Sequence, residues 1–201
     1  MSAGALLMPR RVSRPLAPER EPAVSNLRLA MAVVIIAETM FFAGLVGMYL
    51  VFRLAASAWP PANLPKLPIV VTALNTVVLF ASVVPLWRTA AAHRRGDAAA
   101  VAAGISWAAA LGSLFLLVQG VEWIRLVGHG LTLGAGVYGG SFYVLIGAHA
   151  LHVLVAVGWL GGVALVLRRG GRLGGALEAC ALYWYFVCAL WAGLFPLVYL
   201  Y

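Results

Sequence analysis

Charge is what this chain lacks most. Only 10% of its 201 residues are Asp, Glu, Lys or Arg, against about a quarter in a soluble domain. With 64% hydrophobic residues and a mean hydropathy of +0.98, the chain reads as an integral membrane protein. Strict apolar–polar alternation is also missing, which excludes barrel strands. What remains is five long apolar runs, at about 26–53, 68–92, 98–126, 138–167 and 175–200. Each exceeds the ~20 residues that cross a ~30 Å hydrocarbon core as a helix. The expected fold is all-α, an integral membrane bundle of five transmembrane helices over residues 26–201, preceded by a tail over residues 1–25.

Cysteine is nearly absent. Cys180 and Cys188 both fall in the last run, eight positions and two helical turns apart, beyond the ~6–7 Å Cα separation that a disulfide bridges. They read as small apolar fillers. Histidine is equally sparse. His149 and His152 stand three apart in the fourth run, while His93 and His129 lie at membrane edges. A haem held by two imidazoles needs histidines on facing helices at one depth, so the pattern supplies no haem site within the chain. A zinc or copper site wants further ligands nearby. The pair reads first as structural hydrogen bonding, then as proton or lipid contact, and last as metal.

The formal net charge of +8 points to nucleic acid only until the charges are placed. Eleven of the fourteen basic residues fall in three segments: Arg10, Arg11, Arg14, Arg20 and Arg28 at the start; Arg88, Arg94 and Arg95 between runs two and three; Arg168, Arg169 and Arg172 between runs four and five. Arg53, Lys66 and Arg125 belong to the other side. This positive-inside asymmetry predicts a cytoplasmic N-terminus and, with five spans, an outer C-terminus. The basic charge is then topology and anionic-lipid contact, with no nucleic-acid site.

The tail carries Pro9, Pro15, Pro18 and Pro22 among four arginines and is expected to be disordered and cytoplasmic. Its apolar piece Ala5 to Met8 is shorter than the ~7–15 residues of a signal-peptide core, and no cleavage is expected. Pro85 and Pro196 are expected to kink or end their helices. Gly44 with Gly47, and Gly158 with Gly162, imply close helix packing.

Against this background Glu38 stands out. It lies near the middle of the first run, where a carboxylate costs roughly 2.5 kcal/mol or more to insert. Val34, Ile35, Phe41 and Phe42 lie within one turn and offer no compensation. Desolvation is expected to keep this acid protonated, with a hydrogen-bond partner either at Thr39 or on another helix. Gln119, Glu122 and Arg125 follow at three-residue spacing towards the end of the third run. Glu122 and Arg125 read as a local ion pair, with lipid-headgroup or subunit contact as the alternative. Glu178, at the start of the last helix, suits the helix dipole.

Several motifs in one order carry a resemblance. Ala37-Glu38-Thr39-Met40-Phe41-Phe42-Ala43-Gly44-Leu45 resembles the serine-glutamate-x-x-phenylalanine-phenylalanine-x-glycine signature of subunit III of the haem-copper cytochrome c oxidases. Gly136-Val137-Tyr138-Gly139-Gly140, leading into Gly147-Ala148-His149-Ala150-Leu151-His152, looks like that family's glycine-x-tyrosine-glycine and glycine-x-histidine-x-x-histidine runs. Asn75-Thr76, Gln119 with Glu122, and Tyr183-Trp184-Tyr185-Phe186-Val187 with Trp191 match in the same order. The likeness covers residues 26 to 201. Tyr185 and Cys188 depart from it, standing where the family usually has histidine and aspartate. With five spans the chain is similar to short bacterial members, lacking the two helices that form one arm of the lipid-holding cleft.

The resemblance implies an accessory subunit of a proton-pumping aa3- or caa3-type oxidase in a bacterial inner membrane, without haem or copper of its own. Subunits I and II would carry those centres, with subunit I the main contact and a small subunit IV a further partner. It also implies phospholipid binding and support of proton uptake, with Glu38 matching a carbodiimide-reactive buried acid. The expected site residues are Glu38 as the buried acid, and Gln119, Glu122, Arg125, His149 and His152 as structural or lipid-contact groups. The chain would have no catalytic or metal residues. Two other readings stay open: an accessory chain of a quinol oxidase or nitric oxide reductase, and a small proton-coupled transporter.

Overall fold

The computed structural model describes residues 26–171 and 175–201. The tail over residues 1–25 and Arg172 lie outside the described residues. Backbone amides in hydrocarbon have no water to bond, so each apolar run closes its hydrogen bonds within itself as a helix. The elements are α1 (Asn26–Ala55), α2 (Ile69–Ala81), α3 (Val83–Arg94), α4 (Ala98–Gly128), α5 (Gly136–Arg168) and α6 (Ala176–Phe195), followed by a π-helical turn, Pro196–Leu200. Since α2 and α3 together make one crossing, five spans are long and apolar enough to traverse a bilayer. The chain is a multi-pass membrane protein.

Helix ends follow local chemistry. At the end of α3, Gly96 adopts φ 72°, a backbone conformation that side chains penalise. Its N–H bonds to His93 O at 3.0 Å and that of Asp97 to Ala92 O at 3.1 Å, which satisfies carbonyls the helix leaves over. Asp97 then caps α4 by accepting from Ala100 N at 2.9 Å. The break between α2 and α3 falls at Ser82, three residues before Pro85, because a proline without an N–H leaves the carbonyl four residues back unpaired. Pro196 ends α6 and starts the π-helical turn.

In the bundle α4 packs on α2, α3 and α5, while α1 leans on α5 and α6. Polar bonds tie the helices at depth. Trp184 Nε1 donates to Ser82 Oγ at 3.0 Å, Trp191 Nε1 to Thr76 Oγ1 at 2.9 Å, and Asn75 Nδ2 to Phe115 O at 2.9 Å. Each such bond contributes on the order of 0.6 kcal/mol in a membrane. Cys180 and Cys188 are buried free thiols.

The glycines pack differently from the expectation above. A Cβ placed on Gly44, Gly47, Gly158 or Gly162 meets no atom within 4 Å, because these positions face away from the bundle. Close approach occurs instead at Gly112, where a Cβ would run into the Trp184 ring, and at Gly104, where it would lie 2.8 Å from Pro85 O.

Candidate functional site

The first helix brings its one acid against α5. Glu38 Oε2 lies 2.9 Å from His152 Nε2, across 114 positions of sequence. His152 Nδ1 lies 2.6 Å from Ala148 O. That carbonyl can only accept, so Nδ1 carries a proton. The Glu38–His152 contact then holds one further proton. Either a neutral acid donates O–H to Nε2, or an imidazolium donates N–H to a carboxylate. Both arrangements carry no net charge and use the same heavy-atom positions. The two forms differ in that only the neutral one avoids desolvating two ions.

The residues beside Glu38 in sequence build the rest of the site. Phe41 stacks on His152 at 6.1 Å and 30°, while Phe42 meets it edge-on at 5.0 Å. The imidazole is therefore held by two rings from the helix that supplies its partner. Phe42 is 1% exposed, whereas the Glu38 and His152 side chains keep 27% and 16% of their surface open. The pair thus has a fixed inner wall and a side open at the surface of the chain. Thr39 takes no part, since its hydroxyl donates to Ile35 O at 2.7 Å.

His149 behaves differently from its neighbour. It is 1% exposed, and neither ring nitrogen has a hydrogen-bond partner, contrary to the structural hydrogen bonding expected of the pair. Ring packing holds it instead, with Trp191 stacked at 5.0 Å and 22° and Phe42 edge-on at 6.5 Å. Phe42 and Trp191 are site residues that sequence reasoning did not single out for this purpose. The signal available was the Glu38 to Phe42 spacing, which puts both on one face of α1.

Gln119, Glu122 and Arg125 form a second group on α4. Arg125 Nη1 donates to Glu122 Oε1 at 2.7 Å, with the arginine side chain 65% open and the glutamate 8%. Gln119 Nε2 instead bonds the Tyr199 hydroxyl at 3.1 Å, and His129 Nδ1 lies 2.7 Å from Arg125 O. Among the described residues, no hydrogen bond or ion pair joins this group to Glu38 and His152. Nor do three or more His, Cys, Asp or Glu come together as a metal site among the described residues. Glu178 sits in the first turn of α6.

The family model for cytochrome c oxidase subunit III matches residues 17–201. Cytochrome c oxidase subunit 3 of Corynebacterium diphtheriae is 33% identical over 198 residues, 91% of this chain and 93% of that protein. The subunit 3 of Synechocystis is 34% identical over 182 residues, covering 87% and 76%. That of Sus scrofa is 33% identical over 187 residues, covering 87% and 69%.

Proposed function

Because the chain belongs to the cytochrome c oxidase subunit III family, we propose that it is the accessory subunit of an aa3- or caa3-type oxidase, supporting proton uptake and binding phospholipid. One observation carries the reading beyond family membership: the 2.9 Å contact between Glu38 Oε2 and His152 Nε2 in the middle of two spans, with both side chains partly open at the surface of the chain. Within such a pair a proton can pass from one partner to the other with little movement of heavy atoms, because both protonation patterns fit one geometry.

Haem and copper belong, on this reading, to subunits I and II, and this chain contributes no redox centre. Subunit I is the main partner, with subunit II and a small subunit IV beside it. The outward-facing glycines fit that role. Gly158 and Gly162 meet nothing within the chain, and small residues at four-residue spacing let another helix approach closely. The N-terminus is cytoplasmic and the membrane a bacterial inner one.

The test is sustained turnover of the parent oxidase carrying Glu38→Gln. Oxygen reduction should begin near the wild-type rate, since no redox centre is lost, and then decline faster. Unchanged activity over prolonged turnover, together with no carbodiimide labelling of the wild type, would leave Glu38 a structural residue.

A further inference from the structure

The seam between α4 and α5 is hollow in two places. Near the end where α5 stops and α4 begins, a cavity of about 430 Å3 has Ser106, Ala109, Gly161 and Arg168 in its lining. Further along, a second of about 360 Å3 has Gly120 and Gly147 in its lining. Gly161 and Gly147 lie about 20 Å apart along α5, so the two hollows follow the seam through much of a ~30 Å hydrocarbon core. The chain does not fill them itself. A Cβ added at Gly120, Gly147 or Gly161 meets no atom within 4 Å.

One end of the seam carries a charge. Arg168 is the last residue of α5, where an arginine ordinarily snorkels to water. Its side chain leans back towards the start of its helix instead, and Nη2 donates to Ser106 Oγ at 2.9 Å. Ser106 lies about 12 Å along α4 from Ala98, so the guanidinium is drawn inwards to the mouth of the first hollow. The serine is neutral, and its own proton goes to Ala102 O at 2.7 Å. Among the described residues, no carboxylate comes within ion-pair distance of Arg168. A cation held inside the helix ends without an acid calls for one from outside the chain.

We propose that the α4–α5 seam seats one transmembrane helix of another oxidase subunit, with small residues against Gly120, Gly147 and Gly161 and an Asp or Glu at the Arg168 end. The hollows are strung along the helix axes, as a helix is, and glycines let its backbone approach closely where contact drives association in lipid. A carboxylate can take two guanidinium N–H groups at once, and Ser106 already fixes the orientation of that fork. The inference rests on the accessory-subunit role proposed above and gives the subunit contact a place and a recognition chemistry.

The test puts an amine where the guanidinium stands. In the intact oxidase complex, purified in mild detergent, Arg168→Lys is treated with a water-soluble carbodiimide, which activates a carboxylate for attack by the lysine amine and leaves an amide. Arg169→Lys, at a position that does not line the cavity, is the control. Mass spectrometry should find an amide from position 168 to an Asp or Glu on a transmembrane helix of another subunit, and none from position 169. Gly161→Leu and Gly147→Leu, which meet no atom of the chain at Cβ, should each abolish that crosslink while the chain stays in the membrane at its wild-type level. Arg168→Gln should lower retention of the same subunit after washing by up to about fivefold.

Equal crosslinking from positions 168 and 169, no crosslink from 168, or leucine variants that leave it intact would overturn the site. A phospholipid joined to the lysine through its phosphate would overturn the assignment to a helix, and a crosslink to a second copy of this chain would overturn the assignment to another subunit. A wild-type complex that contains no other oxidase subunit refutes the accessory-subunit reading, whereas an assembled oxidase without the Arg168→Lys crosslink refutes this seam alone.

Discussion

Glutamine at position 38 separates the proton from the hydrogen bond. His152 Nδ1 is committed to Ala148 O, so a neutral His152 offers Nε2 as an acceptor. A glutamine N–H can fill that acceptor much as the acid O–H does across 2.9 Å. Glu38→Gln should therefore keep the contact and the Phe41–Phe42 clamp, changing stability by less than about 1 kcal/mol. His152→Ala is different. It removes the bond, about 0.6–1.7 kcal/mol in a membrane, and vacates the ring-sized space between Phe41 and Phe42. Large-to-small changes in packed cores cost about 2–5 kcal/mol, reduced here because the imidazole is 16% open, giving a total of about 2–4 kcal/mol. The assay pairs heat-induced loss of the chain from the complex with labelling by a hydrophobic carbodiimide, to which a protonated carboxyl gives its proton and adds through oxygen. Wild type should label, Glu38→Gln should not, and His152→Ala should label at least as strongly despite its lower stability. If Glu38→Gln destabilises as much as His152→Ala, the contact is an ion pair and the neutral-acid reasoning fails.

Further outcomes follow from the packing. Gly112→Ala pushes a methyl group into the Trp184 ring and should cost about 1–3 kcal/mol, read as a lower temperature of assembly loss, whereas Gly158→Ala should leave the isolated chain unchanged and weaken only its hold on the partner subunit. Trp184→Phe removes the donor to Ser82 and should cost about 1 kcal/mol beyond the lost ring area, checked by the same heating assay. Arg125→Gln should cost less than about 1 kcal/mol, since the arginine is largely open. Cysteine labels at Gly96 and Gly171 should resist impermeant reagents in intact cells while one at Asn63 reacts, and the reverse pattern would invert the topology.

Much of this architecture is legible in the sequence because hydrocarbon imposes a single rule. Any chain crossing it must be an apolar helix of sufficient length, and the five runs end within a few residues of the structural boundaries. Glu38 was legible for the same reason, as a charge where charge is expensive. Its partner was not. His152 lies 114 positions away, and nothing in either helix states which of several faces will meet. His149 shows the same limit from the other side. Two histidines three apart look equivalent in sequence, yet one meets an acid and the other is sealed against Trp191. The glycines mislead similarly, because four-residue spacing signals close approach without saying whether the approaching helix belongs to the same chain. Gly112, one of four α4 glycines spaced eight apart at 104, 112, 120 and 128 and in no four-residue pair, is where Trp184 settles.

An affinity tag placed on this chain tests directly whether it is a non-redox partner of a haem-copper oxidase. Membranes solubilised mildly and captured through the tag should give a complex with haem absorption and cytochrome c oxidase activity. The same chain, stripped from its partners in stronger detergent, should show no haem absorption. A stoichiometric b-type spectrum from the isolated chain, or mild capture that brings down no haem protein, would contradict it.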